Sequence, residues 1–233
     1  LILIVGDIHG DLIELNKLIS KKNPDIILQA GDFGYWPKCH NTTSVVRQRI
    51  GALRKKKFNA FGLKPNKTKI HFCDGNHEDH DSLCELVDTR TPLSPNLFYQ
   101  KRGSYFTLPD ERIVLFMGGA DSTDKALLTP GDDWFPQESI SQKDIYNLPD
   151  IKVDIIISHT CPLEFDIIRD TDPLEPASRK ALSYVLEKYN PSLWYFGHFH
   201  VNKSGQYNQT KWTCLSHCWS GSRWWIELKS KGV

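Results

Sequence analysis

Short apolar runs punctuate the chain, and each gives way to a polar or glycine-containing turn. Residues 1–5 (LILIV) read as a buried strand, as do 25–30, 69–73, 153–157 and 193–196. Runs of this length, apolar on both faces, suit the strands of a covered parallel sheet. Stretches with helical spacing lie between them. Asp11 is placed to cap a helix in which Leu12, Leu15 and Ile19 share a face, and Pro24 follows its end. Residues 43–58 repeat the pattern with Val46, Ile50 and Leu53, and 81–87, 140–148 and 178–189 read as further helices. Residues 96–117 alternate differently. Their three runs, 97–100, 105–108 and 112–117, are separated by Gly103-Ser104 and Pro109-Asp110, which predicts antiparallel hairpins. The last thirty residues alternate again, with Trp212, Trp219, Trp224 and Trp225, and predict closing β-strands. No repeat, low-complexity tract or linker interrupts the pattern, and one α/β domain over residues 1–233 with two sheets accounts for it.

Composition narrows the class. With 39% hydrophobic and 24% charged residues the chain is neither disordered nor collagen-like. No apolar run approaches the roughly 18 residues of a membrane span. Residues 1–5 pass straight into Gly6-Asp7 with no basic segment or cleavage site, which argues against a secretory signal. The six cysteines, at 39, 73, 84, 161, 214 and 218, form no C-x-x-C pair. Together these features predict reduced thiols and a cytoplasmic location. Net charge is +1, but it is unevenly spread. From residue 33 to residue 73 there is no acid, while Lys38, Arg47, Arg49, Arg54, Lys55, Lys56, Lys57, Lys64, Lys67 and Lys69 all fall there. The near-neutral total therefore leaves room for a polyanionic partner.

The chemistry gathers where the strands end. The runs lead into Gly6-Asp7-Ile8-His9-Gly10, Gly31-Asp32, Asp74-Gly75-Asn76-His77-Glu78, Ser158-His159 and Gly197-His198-Phe199-His200. Ligands of α/β sheets bind beyond the carboxyl ends of the strands. If these ends converge, two aspartates, an asparagine and at least four histidines face one crevice. Imidazole suits zinc, iron and manganese, while carboxylate and amide oxygens suit harder cations. About seven mixed donors exceed the needs of one tetrahedral zinc and match two ions sharing a carboxylate.

In order and in kind, these five motifs resemble those of the calcineurin-like metallophosphoesterases, and the resemblance spans residues 6 to 200. It implies a two-sheet sandwich flanked by helices, an αββα arrangement of four layers. It also implies that Asp7, His9 and His200 hold one metal, that Asn76, His159 and His198 hold the other, and that Asp32 bridges them. His77 would not ligate; it would stabilise a phosphoryl oxygen or protonate the leaving group. A hydroxide held between the metals would attack phosphorus in line, with no covalent enzyme intermediate. Manganese is the expected metal, with iron, zinc or nickel acceptable to the same donors.

The chain departs from the phosphoprotein phosphatases of that superfamily. Their second motif carries an arginine, and another arginine precedes their Gly-Asn-His-Glu. Here the second motif is Gly31-Asp32-Phe33-Gly34-Tyr35-Trp36-Pro37, and Asp74 precedes Gly75. Tyr35 and Trp36 are placed either to line the crevice and stack on a flat ring or to pack against the sheet. The basic tract, Lys38 to Lys69, reads either as a groove for nucleotide or nucleic-acid phosphates or as a solvated helix face. Asp121 and Lys125 follow another apolar run and are candidates for substrate contact, with a capped turn as the alternative. Cys214, His217 and Cys218 lack a standard zinc spacing, and buried thiols are expected there. The expectation is a binuclear metal-dependent phosphoester hydrolase favouring phosphodiester or nucleotide substrates. A broad phosphomonoesterase is the first alternative, and a nucleic-acid-binding module with weak catalysis is the second.

Overall fold

The computed structural model describes residues 1–37, 63–64, 67–86, 88–89, 91, 94–167 and 177–231. Two sheets lie face to face. The first contains β1 (Ile2–Val5), β2 (Ile26–Gln29), β3 (Lys69–Phe72), β4 (Leu97–Tyr99) and the late strand β11 (Trp225–Glu227), in the order β11-β1-β2-β3-β4. The second contains β5 (Tyr105–Thr107), β6 (Ile113–Met117), β7 (Ile155–Ser158), β8 (Leu193–Phe196), β9 (Lys203–Tyr207) and β10 (Thr210–Cys214), in the order β5-β6-β7-β8-β10-β9. Strands β1 to β4 are mutually parallel, as are β6, β7, β8 and β10; β11, β5 and β9 pair antiparallel at the edges.

Strand alternation distributes the apolar side chains into three buried layers. Ile4, Leu28, Val114, Phe116, Ile155 and Ile157 meet between the sheets. Leu3, Val5, Ile27, Ile70 and Phe72 face the other way, onto Leu12, Leu15, Leu18 and Ile19 of helix α1 (Leu12–Lys22). On the far side, Leu115, Met117, Ile156, Trp194 and Phe196 pack with Leu182, Val185 and Leu186 of a long helix, Ala177–Tyr189. The central strands are largely apolar on both sides because both of their faces are covered. The result is the four-layer αββα sandwich that the motifs imply. Two short helices, His80–Cys84 and Gln142–Tyr146, complete the described α-helices; in chain order these are α1, α2 (His80–Cys84), α3 (Gln142–Tyr146) and α4 (Ala177–Tyr189).

One expectation is corrected. The run at 97–100 forms no hairpin with the run after it. β4 joins the first sheet parallel to β3, with Ile70 opposite Leu97, and the chain then crosses to the second sheet, where β5 and β6 make the antiparallel pair. Leu97 and Tyr99 are buried in the layer that holds Phe72 and α1, so a place beside β3 covers more apolar surface than a free hairpin would. The helix expected at 43–58, and with it Arg47, Arg49, Arg54, Lys55, Lys56 and Lys57, lies outside the described residues, as does Lys38. No helix among the described residues is long and apolar enough to cross a membrane.

Candidate metal centre

The parallel strands all deliver their carboxyl ends to one edge of the sandwich, and the loops that follow are laced together there. Ile8 and His9 both donate backbone N–H groups to the Asp32 carbonyl, at 3.1 and 2.8 Å. Gly197 donates to the His159 carbonyl at 3.0 Å. The His198 N–H reaches the Asp7 carboxylate at 3.1 Å, and the His77 N–H reaches Asp32 Oδ1 at 2.8 Å. Two motif glycines are dictated by this crowding. A Cβ at Gly75 would lie 2.0 Å from Asp32 Oδ1, and one at Gly197 would lie 1.9 Å from Asp7 Oδ1.

Seven side chains meet at this edge. Asp7, His9, Asp32 and His200 each present a donor atom within 4.8 Å of the others, as a set that could hold a metal ion. His200 Nε2 stands 3.1 Å from Asp7 Oδ2 and 3.1 Å from His9 Nε2, while His9 Nδ1 faces Asp32 Oδ2 at 3.6 Å. On the other side of Asp32, His159 Nε2 lies 3.3 Å from Asp32 Oδ1 and 3.2 Å from Asn76 Oδ1. His198 Nδ1 also points at Asn76 Oδ1, at 3.1 Å. Asp32 thus touches both groups. His77 stands apart from these contacts, with its ring 5.4 Å from that of His9 and edge-on to it.

The donor set fits divalent cations. Asp7, Asp32 and His159 are buried, and burial raises the free energy of any charge left there unpaired. Burial alone would push both carboxyls up. The neighbouring histidines outweigh it, holding Asp7 below and Asp32 well below the usual carboxylate range. Burial lowers His9 to about 4 and His198 to about 3, so both present neutral imidazoles with a free lone pair. His159 goes the opposite way: burial disfavours its charge, but Asp32 beside it raises it to about 10. A proton there answers the same need for positive charge that a divalent ion would meet.

Supporting groups fix the donors. His159 Nδ1 bonds the Ala30 carbonyl at 2.8 Å, which leaves Nε2 to face the centre. Asn76 Nδ2 donates to Ser122 Oγ at 3.3 Å, and Ser122 Oγ donates to buried Glu138 at 2.8 Å. Glu138 also accepts from the Ser122 N–H and from Trp134 Nε1. This chain turns the Asn76 carbonyl inward. Asp74 is held by Arg102 through Nε and Nη2 and by the Tyr99 hydroxyl. Glu78 accepts the Gly34 and Tyr35 N–H groups and braces the loop after Asp32.

The expected substrate contacts fare differently. Tyr35 and Trp36 do not line the crevice. They are 1% and 2% exposed: Tyr35 packs in the layer with Phe72, and the Trp36 indole N–H is bonded to the His77 carbonyl. Of the two placements open to them, packing is the one adopted, because Phe72 and Phe135 offer each ring an apolar neighbour. Asp121 is engaged by the Ser139 hydroxyl and the Ser178 N–H, so it acts as a brace between segments. Lys125 is exposed in a short 3-10 turn, Lys125–Leu127. The thiols of Cys214 and Cys218 approach backbone carbonyls rather than His217.

The structure adds two residues that the motifs did not announce. The His217 ring lies 4.6 Å from that of His200, and the Trp219 ring lies 5.8 Å from that of His9. The available signal was the turn 215–221, which follows β10 at the same sheet edge and is dense in His, Cys and Trp.

The sequence model describing calcineurin-like phosphoesterases matches residues 1–202. A search of the curated proteins found no match. Among solved structures, the chain is similar to a dimetal phosphatase from Danio rerio, with TM-score 0.56 and 12% identity over 96% of this chain and 90% of that one. It is also similar to TT1561 of Thermus thermophilus (TM-score 0.51, 13% identity, 93% and 89% covered). A third likeness is to GAP50, the anchor in the inner membrane complex of Plasmodium (TM-score 0.50, 13% identity, 100% and 74% covered). At such identities these structures speak for the fold, and the family match speaks for the chemistry. The chain belongs to the calcineurin-like phosphoesterase family, and it is a metal-dependent phosphoester hydrolase.

Proposed function

We propose that the chain hydrolyses phosphoesters at a two-ion centre. Asp7, His9, Asp32 and His200 would hold one ion, and Asn76, His159 and His198 would hold the second together with Asp32. The observation that carries this reading is the convergence of both donor groups on the two oxygens of Asp32. When bound there, two divalent ions would supply Lewis acidity, lowering the pKa of water and offsetting charge on the phosphoryl oxygens. The protein supplies position. The backbone of His77 holds Asp32 and leaves its imidazole to bond a phosphoryl oxygen or protonate the leaving group. Ser122 and Glu138 orient Asn76, and Ala30 orients His159. Manganese suits the mixed oxygen and nitrogen donors, and iron, zinc or nickel would fit as well.

Phosphodiester or nucleotide substrates are favoured over phosphoprotein. No arginine follows Asp32 through Pro37, and the position before Gly75 holds an aspartate already engaged by Arg102. The acid-free basic tract of residues 38–69 offers cations for an extended phosphate substrate. The reduced thiols expected from the sequence support a cytoplasmic location.

The test is hydrolysis of bis-p-nitrophenyl phosphate and p-nitrophenyl phosphate with Mn²⁺ and with chelator, for the native chain and for Asp32→Asn. Metal-dependent turnover favouring the diester is expected. The Asp32 substitution should lower it by more than about a hundredfold, the loss that even outer-shell partners can reach. Normal turnover by that variant would remove Asp32 as the bridge. A monoester preference would move the substrate to the phosphomonoesterase reading. Metal binding without turnover of either ester would favour the binding module.

A further inference from the structure

The aromatic surface at the centre belongs to Trp219, in the turn after β10. Among the described residues, which include all seven tryptophans, it is the only tryptophan in the exposed class, at 41%. Trp36, Trp194 and Trp212 are buried at 4% or less. Yet Trp219 is not loose. Its indole N–H donates to Asp11 Oδ2 at 2.6 Å, so the ring is anchored to the residue that caps α1. Its backbone N–H donates to His217 Nδ1 at 3.2 Å. One face lies nearly parallel to the His9 imidazole, at 18° and 5.8 Å between centroids. The residue keeps 41% exposure beside the donor cluster.

A large apolar ring that is fixed, exposed and pressed against a candidate metal ligand suits a second flat ring carried by a ligand whose phosphoryl group sits at the centre. We infer that Trp219 is the base-stacking platform of this site and that the substrate is a nucleotide, recognised by its base on Trp219 and its phosphate at the donor cluster. The inference rests on the phosphoester reading above and adds the substrate class. His217 serves as the positioning residue: its Nδ1 holds the turn that presents the indole, and its ring packs on His200.

The test is calorimetric binding to the Mn²⁺-loaded chain, using the non-hydrolysable methylenephosphonate analogues of AMP and of ribose 5-phosphate. The two ligands differ in that adenine replaces the anomeric hydroxyl, so their affinity ratio reports what the base adds. The native chain should bind the AMP analogue about tenfold more tightly, within the range of one base–aromatic stack. Trp219→Ala should bring the ratio to about one with little change for the ribose analogue, and Trp219→Phe should keep part of the preference. An unchanged ratio in Trp219→Ala, or equal affinities in the native chain, would overturn the inference while leaving the phosphoester reading intact. Failure of the loaded native chain to bind either phosphonate would remove that reading and this inference with it.

Discussion

Four of the seven candidate donors hold backbone conformations that most side chains avoid. His9, Asp32, His198 and His200 have φ of +47°, +50°, +68° and +54°. Such left-handed positions each cost of order 1–3 kcal/mol and persist where the surroundings over-determine them. Here the surroundings are the hydrogen bonds that lace the strand-end loops, and their effect is to turn donors from separate strands toward one point. His77 differs in kind, since only its backbone serves the cluster. Replacement with alanine should keep metal content near that of the native chain while slowing hydrolysis by roughly a hundredfold or more, the usual share of a general acid. Metal analysis beside a rate assay checks this, and loss of metal would make His77 a ligand. His71 is a different histidine, stacked between Phe98 and Phe106 with Nδ1 facing the Gln100 amide. Burial, helped by nearby Lys69, lowers it to about 4 from 6.5. The folded state therefore favours the neutral ring. This contribution is complete above pH 6.5 and fades as pH falls toward 4, where the unfolded chain takes up the proton first. Relative to the native chain, His71→Phe should gain about 3 kcal/mol between pH 7 and pH 4, read from urea unfolding at each pH.

Between elements, one buried cation joins the two halves of the sandwich. Arg102 lies on the crossing from β4 to β5. It grips Asp74 at the end of β3, Asp144 in α3, and the carbonyls of Gln137, Glu138 and Ser139. Its side chain is 9% exposed and that of Asp74 is 1% exposed. Removing one member of a buried pair leaves an uncompensated charge, at about 3–5 kcal/mol. Arg102→Met should therefore lower unfolding free energy by about that amount. Arg102→Met combined with Asp74→Leu should recover a large part, because the orphan charge goes too. The link bears on function because the same segment carries Glu138, which orients Asn76 through Ser122. A loosened Arg102 would let the second donor group drift.

The fold as a whole draws its donors from both sheets, so metal should bind the folded chain and not the unfolded one. Metal at a hundred times its Kd adds about 2.7 kcal/mol. For a chain of this size each kcal/mol is worth roughly 2–4 °C, so Mn²⁺ should raise Tm by about 5–10 °C over chelated protein. Asp32→Asn should abolish most of that rise in a thermal melt. An equal rise in both would place the stabilising ion elsewhere.

The strand-end motifs and most of the strands were legible because both are local; the four-layer plan came from the family resemblance those motifs carry. Apolar runs encode covered strands through side-chain period, and metal chemistry needs Asp, Asn and His in kind, whatever their neighbours. The helix of residues 43–58 and the bases around it lie outside the described residues and stay as expectations. Three features were not legible. The partner of β4 depends on which sheet offers more apolar cover, and alternation alone cannot tell a hairpin from a parallel edge. Tyr35 and Trp36 sit close to Asp32 in sequence, yet packing draws their rings inward. Trp219 is more than two hundred residues from Asp11 and His9, and only closure of the second sheet brings them together. Residue types pointed to metal-dependent phosphoester chemistry. Which aromatic ring stands exposed beside the centre was settled by long-range packing, because exposure belongs to the assembled surface and has no local signature.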